Sequence, residues 1–191
     1  MTEKEKMLAG LPYNSRDTEL LERYFKAREL LSEINTLNPR LIEEKAELLN
    51  ELLGNKSPGV WIESPFYCDY GENISIGKNT FVNTNCMFLD DNRIQIGDNG
   101  LIAPYVQIYT ATHPLKASDR IKSNGTNSTY ITTTQPVVIG NNVWIGGNSV
   151  IFPGVTIGDN VTIGAGSVVN KNIPSNVLAM GNPCKIIKKL E

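Results

Sequence analysis

The 191-residue sequence has one histidine, three cysteines and no apolar run near the length that spans a membrane. The cysteines, at 68, 86 and 184, form no CxxC pair. They make a poor zinc site and a poor disulfide framework, and they fit a reducing compartment. A basic excess is missing as well: 18 Lys and Arg face 20 Asp and Glu, a net charge of −2. A dedicated nucleic-acid or anionic-membrane binder would carry the opposite bias. The opening MTEKEKM lacks a signal-peptide apolar stretch, so the expected location is the cytoplasm.

The residues that are present are unevenly placed. Residues 1–55 hold 11 acidic and 8 basic side chains, half of all the charges, but only two of the 16 glycines, Gly10 and Gly54. The character changes near Gly54–Gly59. Before it, Leu20, Leu21, Tyr24, Leu30, Leu31 and Ile34 recur at helical spacing, with Asp17 or Thr18 as N-cap. A second helix is expected to start with Pro39 in its first turn and to stop at Gly54. Both helices are amphipathic and need a surface to pack on.

After the change, Ile139, Ile145, Ile151, Ile157, Ile163 and Val169 follow one another every six residues, and glycine follows four of them. Four residues after each stands a small or β-branched residue: Val143, Ser149, Val155, Val161, Ser167 and Ile173. Helices do not repeat in sixes, and plain strand alternation does not need the glycines. A turn every six residues, with one aliphatic pointing inward per flat side, makes the triangular coil of a parallel β-helix. The same period runs through Ile76, Val82 and Phe88, and again through Ile96, Ile102 and Ile108. Two extra residues enter at Asp90-Asp91, and the register is lost between Ile108 and Ile139. That long excursion contains the only histidine, and such excursions are usually functional or disordered.

The hexads of NNVWIGGNSVIFPGVTIGDNVTIGAGSVV resemble the left-handed β-helix of hexapeptide-repeat acyltransferases. With EKEKMLAG, CDYGENISIG, YTATHPL and GNPCKIIKKL, the chain resembles the maltose and galactoside O-acetyltransferases over nearly its whole length. The fold this implies is mainly β, a left-handed parallel β-helix with an N-terminal α-helical segment. Residues 1–56 form the helical segment and 57–183 the β-helix, with a protruding loop at about 109–137 and a basic C-terminal tail at 184–191.

The resemblance places the general base at His113, in Thr-His-Pro. Imidazole suits that task, with an unperturbed pKa of roughly 6.5. It matches Asn83, Asp69 and Asp91 to acceptor-contacting positions, and carboxylates suit sugars because they accept hydrogen bonds from vicinal hydroxyls. Ser15 stands where some members carry Asp; the nearby acid is Asp17, which also serves as a helix cap. Trp144, Gly147, Ala165, Asn170 and Lys171 match positions along acetyl-coenzyme A, Gly147 through a backbone N–H at the thioester. Lys185 and Lys188, with Lys189, form a cationic cluster for the coenzyme phosphates, where relatives often have Arg.

The expected activity is transfer of acetyl from acetyl-coenzyme A to a sugar hydroxyl, on a maltose/glucose- or galactoside-like acceptor, in a ternary complex. No metal is called for, and the expected partners are a second and third copy of the chain in a homotrimer with sites between subunits. Two alternatives differ in class: an acetyltransferase for an amine-bearing acceptor, and a non-catalytic β-helix scaffold that binds no coenzyme. A zinc carbonic anhydrase on the same fold needs several histidines, and one per chain does not supply them.

Overall fold

The computed structural model describes residues 1–123, 125–126 and 128–191. Its body is a parallel β-helix whose three flat faces are three sheets. The first face stacks Asn55–Lys56, Ile74–Ile76, Ile94–Ile96, Val137–Ile139 and Thr156–Ile157. The second stacks Trp61–Ile62, Phe81–Val82, Leu101–Ile102, Trp144–Ile145, Thr162–Ile163 and Val177–Met180, and the third Phe66–Cys68, Cys86–Leu89, Gln107–Tyr109, Val150–Ile151 and Val168–Val169. The last strand, Lys185–Lys189, turns back antiparallel onto Val177–Met180 and closes one end of the second face. The basic C-terminus is thus an edge strand of the β-helix itself, and the β-helix begins at Asn55.

All six aliphatics of the perfect repeat lie inside, as do Val143, Ser149, Val155, Val161, Ser167 and Ile173. They stack in register: Ile145 opposes Ile102 on one side and Ile163 on the other, and Ile151 lies between Ile108 and Val169. Buried Thr80 and Cys86 occupy equivalent small slots, and each donates to a backbone carbonyl, of Gly97 and Ala103 respectively. At the corner between first and second faces, Asn79, Asn99, Asn142, Asn160 and Asn176 all take φ between 55° and 61°. Each of the first four donates its side-chain amide to the next, a ladder running up the corner. Asparagine tolerates this left-handed conformation, which sharp corners require.

The helices cover one end. Helix α1 (Glu3–Leu8) starts with a capping box between Thr2 and Glu5 and buries Met7 against Tyr13, Leu20 and Tyr70. Helix α2 (Thr18–Thr36) is capped by Asp17, whose carboxylate accepts from the Glu19 N–H, and it buries Ala27, Leu31 and Ile34. Helix α3 (Ile42–Leu52) corrects one expectation. Pro39 lies in the preceding turn, where Asn38 Oδ1 accepts from Arg40 N–H, and the helix begins three residues later. Gly54 does follow the helix, but its reason is space: a Cβ there would stand 2.1 Å from the Glu72 carbonyl oxygen.

Where coils depart from eighteen residues, they do so at one corner. Ile94 pairs with Ile74, twenty residues back, and with Val137, forty-three ahead, whereas Val138 pairs with Thr156, eighteen ahead. The surplus lies at Asp69–Asn73, at Asp90–Arg93 and in the excursion from Thr110 to Pro136, which stack between the third and first faces.

Candidate active site

Buried Asp90 holds this corner in shape. Its carboxylate accepts from the backbone N–H groups of Asp69, Tyr70 and Asn73, at 3.0, 2.8 and 3.2 Å. Burial still dominates those bonds and pushes its carboxyl up to about 6. With that turn fixed, Asp69 and Asp91 line the same cleft, close enough for each acid to act on the other. Desolvation raises both acids, and for Asp69 the neighbouring Asp91 and Asp90 charges raise it further, to about 7. Two groups compensate: Arg28 Nη2 reaches Asp69 Oδ1 at 3.1 Å, and Tyr13 O–H donates to Asp91 Oδ1 at 2.7 Å.

The acid pair lies in a cleft of about 320 Å³ lined by Ser15, Arg16, Leu21, Tyr24, Asp69, Tyr70, Asp91 and Tyr130. Ser15 Oγ donates to Tyr130 Oη at 3.3 Å, and the Arg16 guanidinium lies 5.8 Å from the Tyr130 ring centre. Polar groups against aromatic walls are the usual make-up of a small-molecule site. His113 stands beside it. Its ring meets Tyr130 edge to face at 5.5 Å, and its Nδ1 lies 2.8 Å from the Ile131 carbonyl oxygen. A carbonyl only accepts, so Nδ1 carries the proton and Nε2 is left as the acceptor atom of the ring. The excursion places it: Ala111–Thr112 pairs with Thr133–Thr134, and the arm Ile121–Ser123 pairs with Ser128–Tyr130.

Of the five expected acceptor residues, the structure thus brings three, Ser15, Asp69 and Asp91, into one cleft next to His113. Asp17 does not line it; its carboxylate caps α2. Asn83 lies at the corner between second and third faces, a full sheet width from the acid pair, and its Oδ1 accepts from Thr84 N–H. The left-handed residue of that corner is Asn85, with φ 59°, not Asn83.

Asn83 instead begins a column. Backbone N–H bonds to the carbonyl preceding the equivalent residue link Asn83, Ala103, Gly146, Gly164 and Met180 up one corner, and Met180 pairs with Lys185. Five strand spacings of roughly 4.8 Å carry this column about 24 Å from Asn83 to Lys185. Trp144, 54% exposed, Gly147 and Ala165 flank it, and Lys188 follows on the closing strand. Gly146 has no room for a side chain, since a Cβ would come within 2.5 Å of Ala165 N. An elongated ligand with phosphates at the lysine end fits such a column. Asn170 and Lys171 lie past the third face, at the next corner, away from it.

Sequence reasoning missed Tyr13, Tyr24, Arg28, Tyr70 and Tyr130, because their positions depend on the helices and the arm folding onto the corner. Helical spacing marks only Tyr24, and only as part of an apolar face. The capping box of α1 was legible in Thr2 and Glu5 and would have located that helix.

Comparison with known proteins agrees with this architecture. Residues 6–57 match the maltose acetyltransferase hexapeptide capping motif, and residues 136–171 the bacterial transferase hexapeptide motif of six repeats. A maltose O-acetyltransferase from Clostridium difficile 630 is 48% identical, with all of this chain and 98% of that one covered, at a TM-score of 0.94. A galactoside acetyltransferase solved in complex with coenzyme A is 40% identical, with 100% and 92% covered, at 0.92. A hexapeptide-repeat acetyltransferase from Vibrio cholerae O1 biovar eltor, complexed with acetyl coenzyme A, is 38% identical over the full length of both chains, at 0.88. The chain therefore belongs to the maltose and galactoside O-acetyltransferase family, and it is an acetyltransferase of the hexapeptide-repeat type.

Proposed function

We propose that the protein transfers acetyl from acetyl-coenzyme A to a hydroxyl of a maltose/glucose- or galactoside-like sugar, through a ternary complex. The observation that carries this reading is His113, with Nδ1 tied to Ile131 O at 2.8 Å, beside a cleft of carboxyls and tyrosines. Nε2 takes the proton of the acceptor hydroxyl as its oxygen attacks the thioester carbonyl carbon. The carbon–sulfur bond then breaks, and the imidazolium proton goes to the leaving thiolate. The Gly147 N–H stabilises the negative oxygen formed between those steps. Asp69, Asp91 and Ser15 hold the acceptor, and Asn83 contacts it near the reacting hydroxyl.

His113 and the Asn83–Lys185 column lie on different corners of one chain, so the site is completed by a second copy. A homotrimer, with the His113 corner of one subunit against the column of its neighbour, meets that requirement three times. Trp144, Gly147 and Ala165 serve acetyl-coenzyme A along the column, Lys185 and Lys188 its phosphates, and Asn170 and Lys171, on the same corner as His113, reach it from the neighbouring subunit. The test is thiol release from acetyl-coenzyme A over sugars, alcohols and amines, with calorimetric titration of coenzyme A. Turnover on sugars above that on amines supports the reading. Absence of coenzyme binding would make the chain a scaffold.

A further inference from the structure

The acid pair has a built-in counter-charge. Arg28 comes from the middle of α2, and its guanidinium is held twice: on Asp69 Oδ1 at 3.1 Å and over the Tyr24 ring at 4.6 Å. The ion pair is partly enclosed, with Asp69 20% and Arg28 37% exposed. Nearby cations have other partners: Arg23 bridges Glu19 and Glu72, and Lys4 pairs with Glu72. Asp90 turns its charge inward, onto three backbone N–H groups. What faces the cleft is therefore two carboxyls, Asp69 and Asp91, with Arg28 as the cation paired directly with one of them. Tyr13 and Tyr70 are neutral, their phenols pushed well up by burial and by Asp91. Arg16 at Tyr130 adds positive charge at the rim.

We propose that Arg28 is the specificity-determining counter-charge of the acceptor cleft: it balances the Asp69–Asp91 pair, so the site takes an uncharged polyhydroxyl acceptor and discriminates against ammonium-bearing ones. This rests on the sugar-acetylation reading above. Arg28 touches neither acceptor nor thioester in this scheme and acts through Asp69. Without it, Asp69 and Asp91 lose their directly paired cation and only Arg16, at the rim, offsets them, so a cationic acceptor gains over a neutral one of the same shape.

The test compares kcat/KM by thiol release for glucose and glucosamine at pH 7, where an amine of this type is largely protonated. Arg28→Gln keeps an amide donor for Asp69 but removes the charge. It is expected to move the glucosamine-to-glucose ratio upward by about tenfold or more. Arg28→Lys restores the charge and is expected to hold the ratio within about threefold of wild type, even where both rates fall. Asp69→Asn removes a carboxyl while Arg28 stays, and is expected not to raise the ratio. Thermal melts accompany each variant; if Arg28→Gln does not fold, Arg28→Met, which retains the stem over Tyr24, carries the same expectation. Equal loss on both sugars in Arg28→Gln would overturn the proposal, as would a tenfold rise of the ratio in Asp69→Asn. A wild type that uses glucose while the Arg28→Gln ratio stays fixed refutes this inference alone. A wild type that releases thiol with neither sugar refutes the acetyl-to-sugar reading, and this inference with it.

Discussion

Replacing His113 by alanine separates catalysis from folding, because the structure assigns the side chain so little structural work. The ring is exposed, donates one hydrogen bond to the Ile131 carbonyl and makes one edge contact with Tyr130. A single such bond contributes about 0.5–1.5 kcal/mol net, less when water replaces the partner. The melting temperature should therefore move by only a few degrees. Coenzyme A affinity should also stay within about twofold, since the column from Asn83 to Lys185 lies on another corner. The turnover number has a different dependence. Without Nε2 the acceptor hydroxyl has no positioned base, and the usual value of such a group is about 10²–10⁴ in rate, or about 3–5 kcal/mol of barrier. Thiol release under saturating acetyl-coenzyme A measures kcat, calorimetry measures coenzyme binding, and a melt measures stability. His113→Ala with more than about a tenth of wild-type kcat would refute the assignment of the base. A collapse of coenzyme binding together with kcat would show that the side chain supports the fold instead.

Ile151, wholly buried between Ile108 and Val169, should cost about 2–5 kcal/mol as Ile151→Ala in a chemical denaturation series; Ile151→Asp, which buries an unpaired charge, should prevent accumulation of folded protein. Lys185→Ala and Lys188→Ala should each raise the acetyl-coenzyme A KM a few-fold with little change in kcat, less at high salt and less with acetyl-pantetheine; equal effects on both donors would remove the phosphate assignment. The acid pair also sets a pH dependence. Asp69 holds its proton to about 7 in the folded chain, whereas an unfolded aspartate loses it near about 4. Between those values the folded state binds more protons, so stability falls as pH rises. Melts of Asp69→Asn should show a shallower fall from pH 4 to 7 than wild type, and parallel curves would contradict the raised Asp69 carboxyl.

The repeat was legible because each hexad carries its own instruction: an inward aliphatic, a corner residue that accepts left-handed φ, and a small residue in the tight slot. Ile139 through Val169 specify their coils without reference to the rest of the chain. Even Asp90-Asp91 could be located as a break in the period, and it lies at the acid pair. What stayed hidden depends on distant segments. Nothing local in α2 indicates that Arg28 reaches Asp69, forty-one residues on, and nothing around Tyr13 indicates its bond to Asp91, seventy-eight residues on. Asp17 was readable two ways, as acid or cap, and the backbone resolved it: a residue one position before a helix has the N–H groups of the first turn within reach.

A β-helix with perfect hexads has no concavity; its three faces are flat and its corners alternate strictly. Chemistry needs groups that converge, and this chain obtains them by lengthening coils at one corner only. Two residues at Asp69–Asn73 and two more at Asp90–Arg93 lift Asp69 and Asp91 off the corner line. The excursion from Thr110 to Pro136 then folds an arm over them with His113 and Tyr130. Because surplus residues leave at one strand end and return at the next strand start, Ile74, Ile94 and Val137 still stack in register. The core Ile and Val column is undisturbed, so the stability of the repeat is kept separate from the geometry of the site. Buried Asp90 is the exception, a charged group inside the stack. It is retained because three backbone N–H groups of the widened turn have no coil partner of their own kind, and one carboxylate satisfies all three.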